Sequence, residues 1–362
     1  MSPITENTPS IRDFQNDLPL HPAARDLLAY FFDSGWVDPS KLHHQSAQLR
    51  NLIGTARETI AANLGIKNSE LEVVGELGFG FQTALGGLLK DPSVEFFYSE
   101  IDRQVVHAFA RSHISSGGSA TSLKPSSTGL VDFQSALAQE NSSVVSWQST
   151  NREMGAIQDL PKIDESNSLF ADMTASFPLN RLPERWDSAL WDPRSFTGPQ
   201  GIALIGISHQ SKWRNPGPEL DNRRVFGSFS KPLLLATAVA LENWVKSAAE
   251  DFARLRKLNV FTRELLRSKV KGVRVVGDDQ KNDPRFIALV LPNSVAEEVL
   301  RKVEQAGFLI DAGSACGAGA LSPSHVLTSM GFSENGNVRL TLKPNQSEAV
   351  ITELVERIAA SA

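Results

Sequence analysis

The strongest constraint on this 362-residue chain is the alternation of short β-rich runs with helical ones through its middle part. Candidate strands lie at Glu72–Gly75, Val94–Tyr98, Ser143–Trp147, Ser168–Asp172, Ser188–Leu190 and Ile202–Ile207. Helical stretches at Phe81–Leu89, Arg103–Ser112 and Phe133–Glu140 separate several of them. Such alternation predicts an α/β fold with a mainly parallel sheet covered by helices on both faces. Upstream, Pro22–Tyr30 and Ser46–Leu64 show the 3.6-residue apolar rhythm of helices. Downstream, a long helical region over Leu233–Leu266 leads into a second unit. That unit reads strand Val273–Val276, strand Phe286–Leu291, helix Val295–Ala306, strand Phe308–Asp311, helix Pro323–Met330, strand Asn337–Leu342 and helix Gln346–Ala360, a smaller α+β arrangement.

Charge and composition exclude several functions. A net charge of -5, with no clustered Lys and Arg, lacks the basic face that phosphate backbones require, so no nucleic-acid partner is expected. Met1–Ser10 is polar, without the basic and apolar regions of a secretory signal. The longest apolar run, Leu233–Leu241, is about half of the roughly 20 residues a membrane helix needs, and Glu242 ends it. The lone Cys316 excludes an internal disulfide framework. The His43–His44 pair has no second cluster to complete a metal site, so no metal is expected. These readings predict a soluble, cytoplasmic protein with no membrane partner.

The most informative segment is Ala312-Gly313-Ser314-Ala315-Cys316-Gly317-Ala318-Gly319-Ala320, followed by Leu321-Ser322-Pro323-Ser324-His325-Val326-Leu327. Small residues around the thiol suit a mobile loop that carries it, ahead of a Ser-Pro helix start. A lone intracellular cysteine is ordinarily an inert, buried small hydrophobe. This string, however, closely resembles the active-site loop of the NifS/IscS-type cysteine desulfurases, in the class V aminotransferase family. Other segments resemble that family in the same order. They are Asp38-Pro39-Ser40 with His44, Ala47 and Ala56-Arg57; Asn151 to Asp159; Ala171-Asp172-Met173-Thr174-Ala175-Ser176; Gly198-Pro199-Gln200-Gly201; and Val338-Arg339-Leu340-Thr341-Leu342.

The resemblance implies a PLP-dependent transferase-like fold: a large domain around a mixed, mostly parallel seven-stranded sheet, plus a small α+β C-terminal domain. It divides the chain into an N-terminal segment (1–35) packing with the small domain, a large cofactor-type domain (36–245), and a small domain with the cysteine loop (246–362). It implies a homodimer, pyridoxal phosphate (PLP) as cofactor, and a sulfur-acceptor protein as partner. Cys316 matches the nucleophile that becomes a persulfide. Asp172 matches the aspartate at the pyridine nitrogen, Asn151 the ring-oxygen contact, and Arg339 the clamp on the substrate carboxylate, a bidentate task that suits guanidinium.

The sequence also departs from the family. The Schiff-base lysine stands three residues before the G-P-K-G turn, and here that position is Ser195, preceded by Arg194 in place of histidine. A hydroxyl cannot form an imine. The phosphate-binding S-G-x-T-E turn has become Leu77-Gly78-Phe79-Gly80-Phe81, losing its threonine but keeping the backbone amide of Gly78. The ring-stacking histidine is Arg103, and the glutamine after the aspartate is Ala175. Lys212 and Lys231 are the candidates for a displaced lysine, and the ordinary reading of each is a solvated surface side chain. Three functions follow: a desulfurase-like enzyme working through a Cys316 persulfide with PLP held noncovalently or by a displaced lysine; a non-catalytic sulfur carrier or regulatory partner in iron–sulfur or thio-cofactor assembly, with PLP absent; or a structural pseudoenzyme whose Cys316 is vestigial.

Overall fold

In the computed structural model, which describes residues 11–34, 37–137, 142–176, 182–219, 224–312, 324–333 and 335–362, the alternating segments build a seven-stranded sheet. Its strands are β1 (Leu71–Val74), β2 (Glu95–Ser99), β3 (Ser119–Leu123), β4 (Ser143–Gln148), β5 (Ser168–Asp172), β6 (Ser188–Trp191) and β7 (Ala203–Ile207). They lie in the order β1-β7-β6-β5-β4-β2-β3. Only β7 runs against its neighbours, β6 and β1; the other pairings are parallel. The mixed, mostly parallel sheet is the one expected. Every residue of β4 to β7 is buried, as continuous apolar strands covered on both faces should be.

Strand β3 was not among the expected strands. Its sequence, Ser-Ala-Thr-Ser-Leu, is polar and largely exposed because it forms the sheet edge. Cross-strand hydrogen bonds hold it instead of apolar burial: Ser119 Oγ and Thr121 Oγ1 donate to the Glu95 carboxylate at 2.6 and 2.7 Å.

The helices are α1 (Pro22–Ser34), α2 (His44–Leu64), α3 (Leu77–Ala84), α4 (Gln104–Ser115), α5 (Phe133–Leu137), α6 (Lys231–Lys269), α7 (Ala296–Gln305), α8 (His325–Ser329) and α9 (Glu348–Ser361). Helix α6 begins with Lys231-Pro232, the proline sitting in the first turn where its missing N–H costs nothing. It then runs unbroken past residues 245 and 246, so the expected domain boundary falls inside a single helix that joins both units. At 1.5 Å per residue it spans roughly 58 Å.

The second unit is a four-stranded antiparallel sheet in the order β10-β11-β9-β8, from β8 (Arg274–Val275), β9 (Phe286–Val290), β10 (Asp311–Ala312) and β11 (Asn337–Thr341). The strand expected over Phe308–Asp311 is shifted to Asp311–Ala312. The main chain before it pairs with the N-terminal segment: Phe14 N–H donates to Leu309 O at 2.7 Å, and Leu309 N–H to Arg12 O at 3.0 Å. Buried Lys343 and Gln346 stitch the same segment down. The Lys343 ammonium donates to the Asp13 carbonyl and lies 3.3 Å from its carboxylate; Gln346 Nε2 donates to the carbonyls of Ile11 and Asp13.

Within the large sheet, Gln148 pairs with Asp172 and Asp172 with Leu190. The C-terminal ends of β4, β5 and β6 are therefore level at one edge, the edge where open parallel sheets hold ligands.

Candidate functional site

Asp172 is the last residue of β5 and its side chain is almost wholly buried. One carboxylate oxygen accepts from Thr174 N (2.9 Å) and Thr174 Oγ1 (2.5 Å), a local turn that fixes the rotamer. The other, Oδ2, makes no hydrogen bond and faces Arg103 Nε at 3.6 Å. Arg103 caps the start of α4, in the junction after β2. Burial pulls its guanidinium below its ordinary value, and Asp172 draws it back up. Guanidinium stays charged at neutral pH all the same.

Its neighbour Asp102 is fully buried and accepts from Ser99 N at 3.0 Å. Burial, and then the charge of Asp172, push its pKa up to about 8, against the Ser99 N–H and the Ser146 hydroxyl. At neutral pH Asp102 holds a proton while its neighbours carry the site's charge.

Asn151 follows β4 and is buried. Its amide donates both hydrogens within the chain, to Ile101 O and Gln148 Oε1 at 3.0 Å each, and its oxygen accepts from Glu153 N at 2.9 Å. Its amide N–H groups are thus committed to shaping the turn.

Ser195 lies in a 3₁₀ turn, Pro193–Phe196, that follows β6. Its hydroxyl donates to Asp192 O at 2.8 Å. Arg194 forks onto the Asp192 carboxylate through Nε and Nη2, at 3.0 and 2.6 Å to Oδ2, and those bonds raise its pKa. From the β9 side, Arg285 donates to the carbonyls of Ser195 and Ala175, clamping the two loops together.

At the head of α3, Gly78 offers its N–H as expected, but the acceptor is the chain's own Glu76. That carboxylate takes Gly78 N at 2.7 Å and Phe79 N at 3.2 Å. A carboxylate there satisfies two orphan donors and the positive end of the helix. One turn later, a Cβ on Gly80 would sit 2.7 Å from Leu190 Cδ1 and 3.1 Å from Ala203 Cβ. Helix α3 packs too closely on β6 and β7 at that point for a threonine.

Arg339, on β11, pairs with the Asp311 carboxylate on β10 and lies 3.7 Å from Glu153 Oε2. Burial pushes the Glu153 carboxyl up, and Arg339 pulls it down. His325 opens α8; its Nε2 lies 2.9 Å from the Asp102 carbonyl, with its ring edge-on to His107 at 5.4 Å. It is a contact between the two units, touching none of Asp172, Ser195 or Arg339 by hydrogen bond.

The expected residues Asp172, Asn151, Arg103 and Ser195 thus gather at the β-strand ends, with Gly78 heading α3 beside them in the fold. Cys316 lies outside the described residues. Lys212 donates to Ser166 O at 2.7 Å, just before the start of β5, at the sheet edge opposite Asp172. Lys231 sits 3.6 Å over the Phe229 ring at the head of α6. Among the described residues, Lys343, which the sequence did not suggest, shares a cavity with Ser195. That cavity, about 190 Å³, is also lined by Arg194, Thr197, Arg285 and Asp17. Burial lowers the pKa of Lys343, but its ammonium is held by Asp13.

No family model matches the chain. Curated relatives do. A Nostoc cysteine desulfurase is 25% identical over 350 residues, covering 89% of this chain and 87% of its own length. The cysteine desulfurase IscS of Dictyoglomus turgidum is 23% identical over 350 residues, covering 91% and 88%. Among solved structures, a NifS-like protein superposes with a TM-score of 0.85 at 18% identity, over 96% of this chain and 98% of that one. The NifS-like protein of Rickettsia africae gives 0.79 at 20% identity, over 95% and 97%. Over most of its length the chain is similar to NifS/IscS-like cysteine desulfurases.

Residues that the desulfurase resemblance did not single out shape this site: Glu76, Asp102, Glu153, Asp311, and an ion pair between Arg152 and Asp17. Glu76 left a signal in the sequence, an acidic residue directly before a helix start. Arg152 and Glu153 lie in the Asn151–Asp159 segment that carries the resemblance, but their partners Asp17 and Arg339 are brought in from distant segments.

Pyridoxal phosphate, the cofactor implied by the desulfurase resemblance, does not fit this arrangement. Residue 195 has no amine, and its hydroxyl is committed to Asp192 O. The amide hydrogens of Asn151 are spent within the chain, and Asp172 Oδ2 already has a cation beside it.

Proposed function

We propose that this desulfurase-like protein carries sulfur as a persulfide on Cys316 and does not liberate it from cysteine by imine chemistry of its own. The observation that carries the reading is Ser195, buried at the imine position with its hydroxyl bonded to Asp192 O. The small-residue string around Cys316 supports the other half, since it suits a loop that presents a thiol. In the step proposed, the Cys316 thiolate attacks the outer sulfur of a donor persulfide. The donor's S–S bond breaks, the donor leaves as a thiolate, and Cys316 holds the new persulfide. Partners of this kind are a sulfur-donating desulfurase and a sulfur-acceptor protein, in the cytoplasm, with the chain itself a homodimer.

The test is mass spectrometry of the purified protein after incubation with a persulfide donor. A mass gain of one sulfur on wild type, absent from Cys316→Ser, is the expected result. No gain on wild type would overturn the carrier role. A PLP group fixed to a lysine by borohydride would overturn the claim that the chain runs no imine chemistry.

A second reading, an enzyme holding PLP without an imine, draws on one observation: Asp172 Oδ2 is buried and lacks a hydrogen bond. Arg103 weighs against it, because a fixed cation 3.6 Å away already balances that carboxylate.

A further inference from the structure

We infer that the cleft is neutralised from within, charge for charge, and binds no pyridoxal phosphate in any form. This goes beyond the carrier reading, which excludes an imine but not a loosely held cofactor.

A site built for this cofactor and an amino-acid substrate must balance three ligand charges: a phosphate at a helix N-terminus, a pyridinium against a carboxylate, and a substrate carboxylate on an arginine. Each has a substitute of the same sign in this chain. Glu76 places a carboxylate on the Gly78 and Phe79 amides at the head of α3. Arg103 places a cation 3.6 Å from Asp172. Asp311, with Glu153 behind it, places carboxylates on Arg339. The amide hydrogens of Asn151, suited to a ring oxygen, go to Ile101 O and Gln148 Oε1. Nearby, Arg152 is paired with Asp17 and Arg194 with Asp192.

The agreement in sign is the argument. Deleting the lysine alone would leave a cradle of unbalanced buried charges, which is costly. A chain that keeps the fold without the ligand has to supply those charges itself. The substitutes come from separate elements: the β1–α3 turn, the α4 cap, β10 and the turn after β4. A phosphate approaching α3 would meet the Glu76 carboxylate, and a pyridinium approaching Asp172 would meet Arg103. Arg103 does not titrate away near neutral pH, because guanidinium does not deprotonate.

The experiment uses the full-length chain with pyridoxine 5′-phosphate, which cannot form an imine, and PLP as separate probes. Binding is read by tryptophan quenching and by thermal shift. Wild type should show neither, whereas a ligand present at about a hundred times its Kd would raise Tm by several degrees. The double variant Glu76→Ser/Arg103→His should bind pyridoxine 5′-phosphate at least tenfold tighter than wild type. Serine keeps the helix cap, so α3 is retained. Should the double variant fail to fold by circular dichroism, Glu76→Ser alone is titrated with inorganic phosphate; a gain over wild type supports the inference, and no gain overturns it. Saturable binding of either cofactor probe by wild type overturns it, as does a folded double variant with no gain. Wild-type cofactor binding without persulfide loss would sink this inference and leave the sulfur carrier standing. A silent Cys316 would do the reverse.

Discussion

Arg103 Nε lies 3.6 Å from Asp172 Oδ2, so the carboxylate at the end of the central strand faces a cation of its own chain. The pair joins the β2–α4 junction to the end of β5, 69 positions away in sequence, 172 minus 103. It balances a buried charge at the point where relatives with this sheet are expected to place a ligand.

Arg103→Met should therefore cost stability. It leaves a buried carboxylate without its counter-ion, a loss of about 2–3 kcal/mol at neutral pH. Adding Asp172→Asn removes the stranded charge and should recover most of that loss. Urea denaturation of the two variants beside wild type checks this. A loss that Asp172→Asn leaves unrelieved would count against the ion pair.

Asp102 supplies a pH dependence of opposite origin. Its folded pKa of about 8 lies above its unfolded value, so the folded state holds a proton that the unfolded chain has released. The contribution is fully present below the unfolded value and is lost as pH rises toward 8, at most about 1.4 kcal/mol per pH unit. Asp102→Asn removes that slope. Its stability relative to wild type should grow steadily between pH 5 and 8, on the order of a few kcal/mol, and parallel stability curves would refute the assignment.

Gly80→Thr restores the hydroxyl that the desulfurase pattern carries in this turn, yet it should harm the protein. The new Cβ would meet Leu190 Cδ1 at 2.7 Å and Ala203 Cβ at 3.1 Å, between α3 and two fully buried strands. Overpacking of this kind costs about 1–3 kcal/mol. A lower Tm with no gain in inorganic-phosphate binding is the expected pair of results.

Lys343→Met tests the stitching of the N-terminal segment. The ammonium holds both the carbonyl and the carboxylate of Asp13, next to the main-chain bonds from Phe14. Loss of about 1–3 kcal/mol is expected, together with faster hydrogen exchange at Phe14 and Leu309. Exchange accelerated uniformly over the whole chain would instead indicate a global effect.

Much of the architecture was legible in the residues. Period and punctuation located most strands of the large sheet, because strands buried on both faces read as continuous apolar runs. The exceptions have physical reasons. Strand β3 is an exposed edge whose stability comes from side-chain hydrogen bonds to Glu95, which leave no apolar pattern. The strand expected at Phe308–Asp311 was displaced because the N-terminal segment pairs with Leu309 across almost the whole chain length.

The site divides along the same line. The sequence by itself determined that residue 195 is a serine, which forms no imine, and that Arg103, Asp172, Asn151 and Arg339 stand at positions the resemblance matches to a desulfurase's ligand contacts. Bonding capacity belongs to a residue type, so it can be read without coordinates. Only the tertiary structure decided what those residues bond to instead: Glu76 on the α3 amides, Arg103 against Asp172, Asn151 on Ile101 and Gln148, and Asp311 with Glu153 on Arg339. Pairing between buried charges depends on distance across separate elements, and sequence spacing carries no information about that distance.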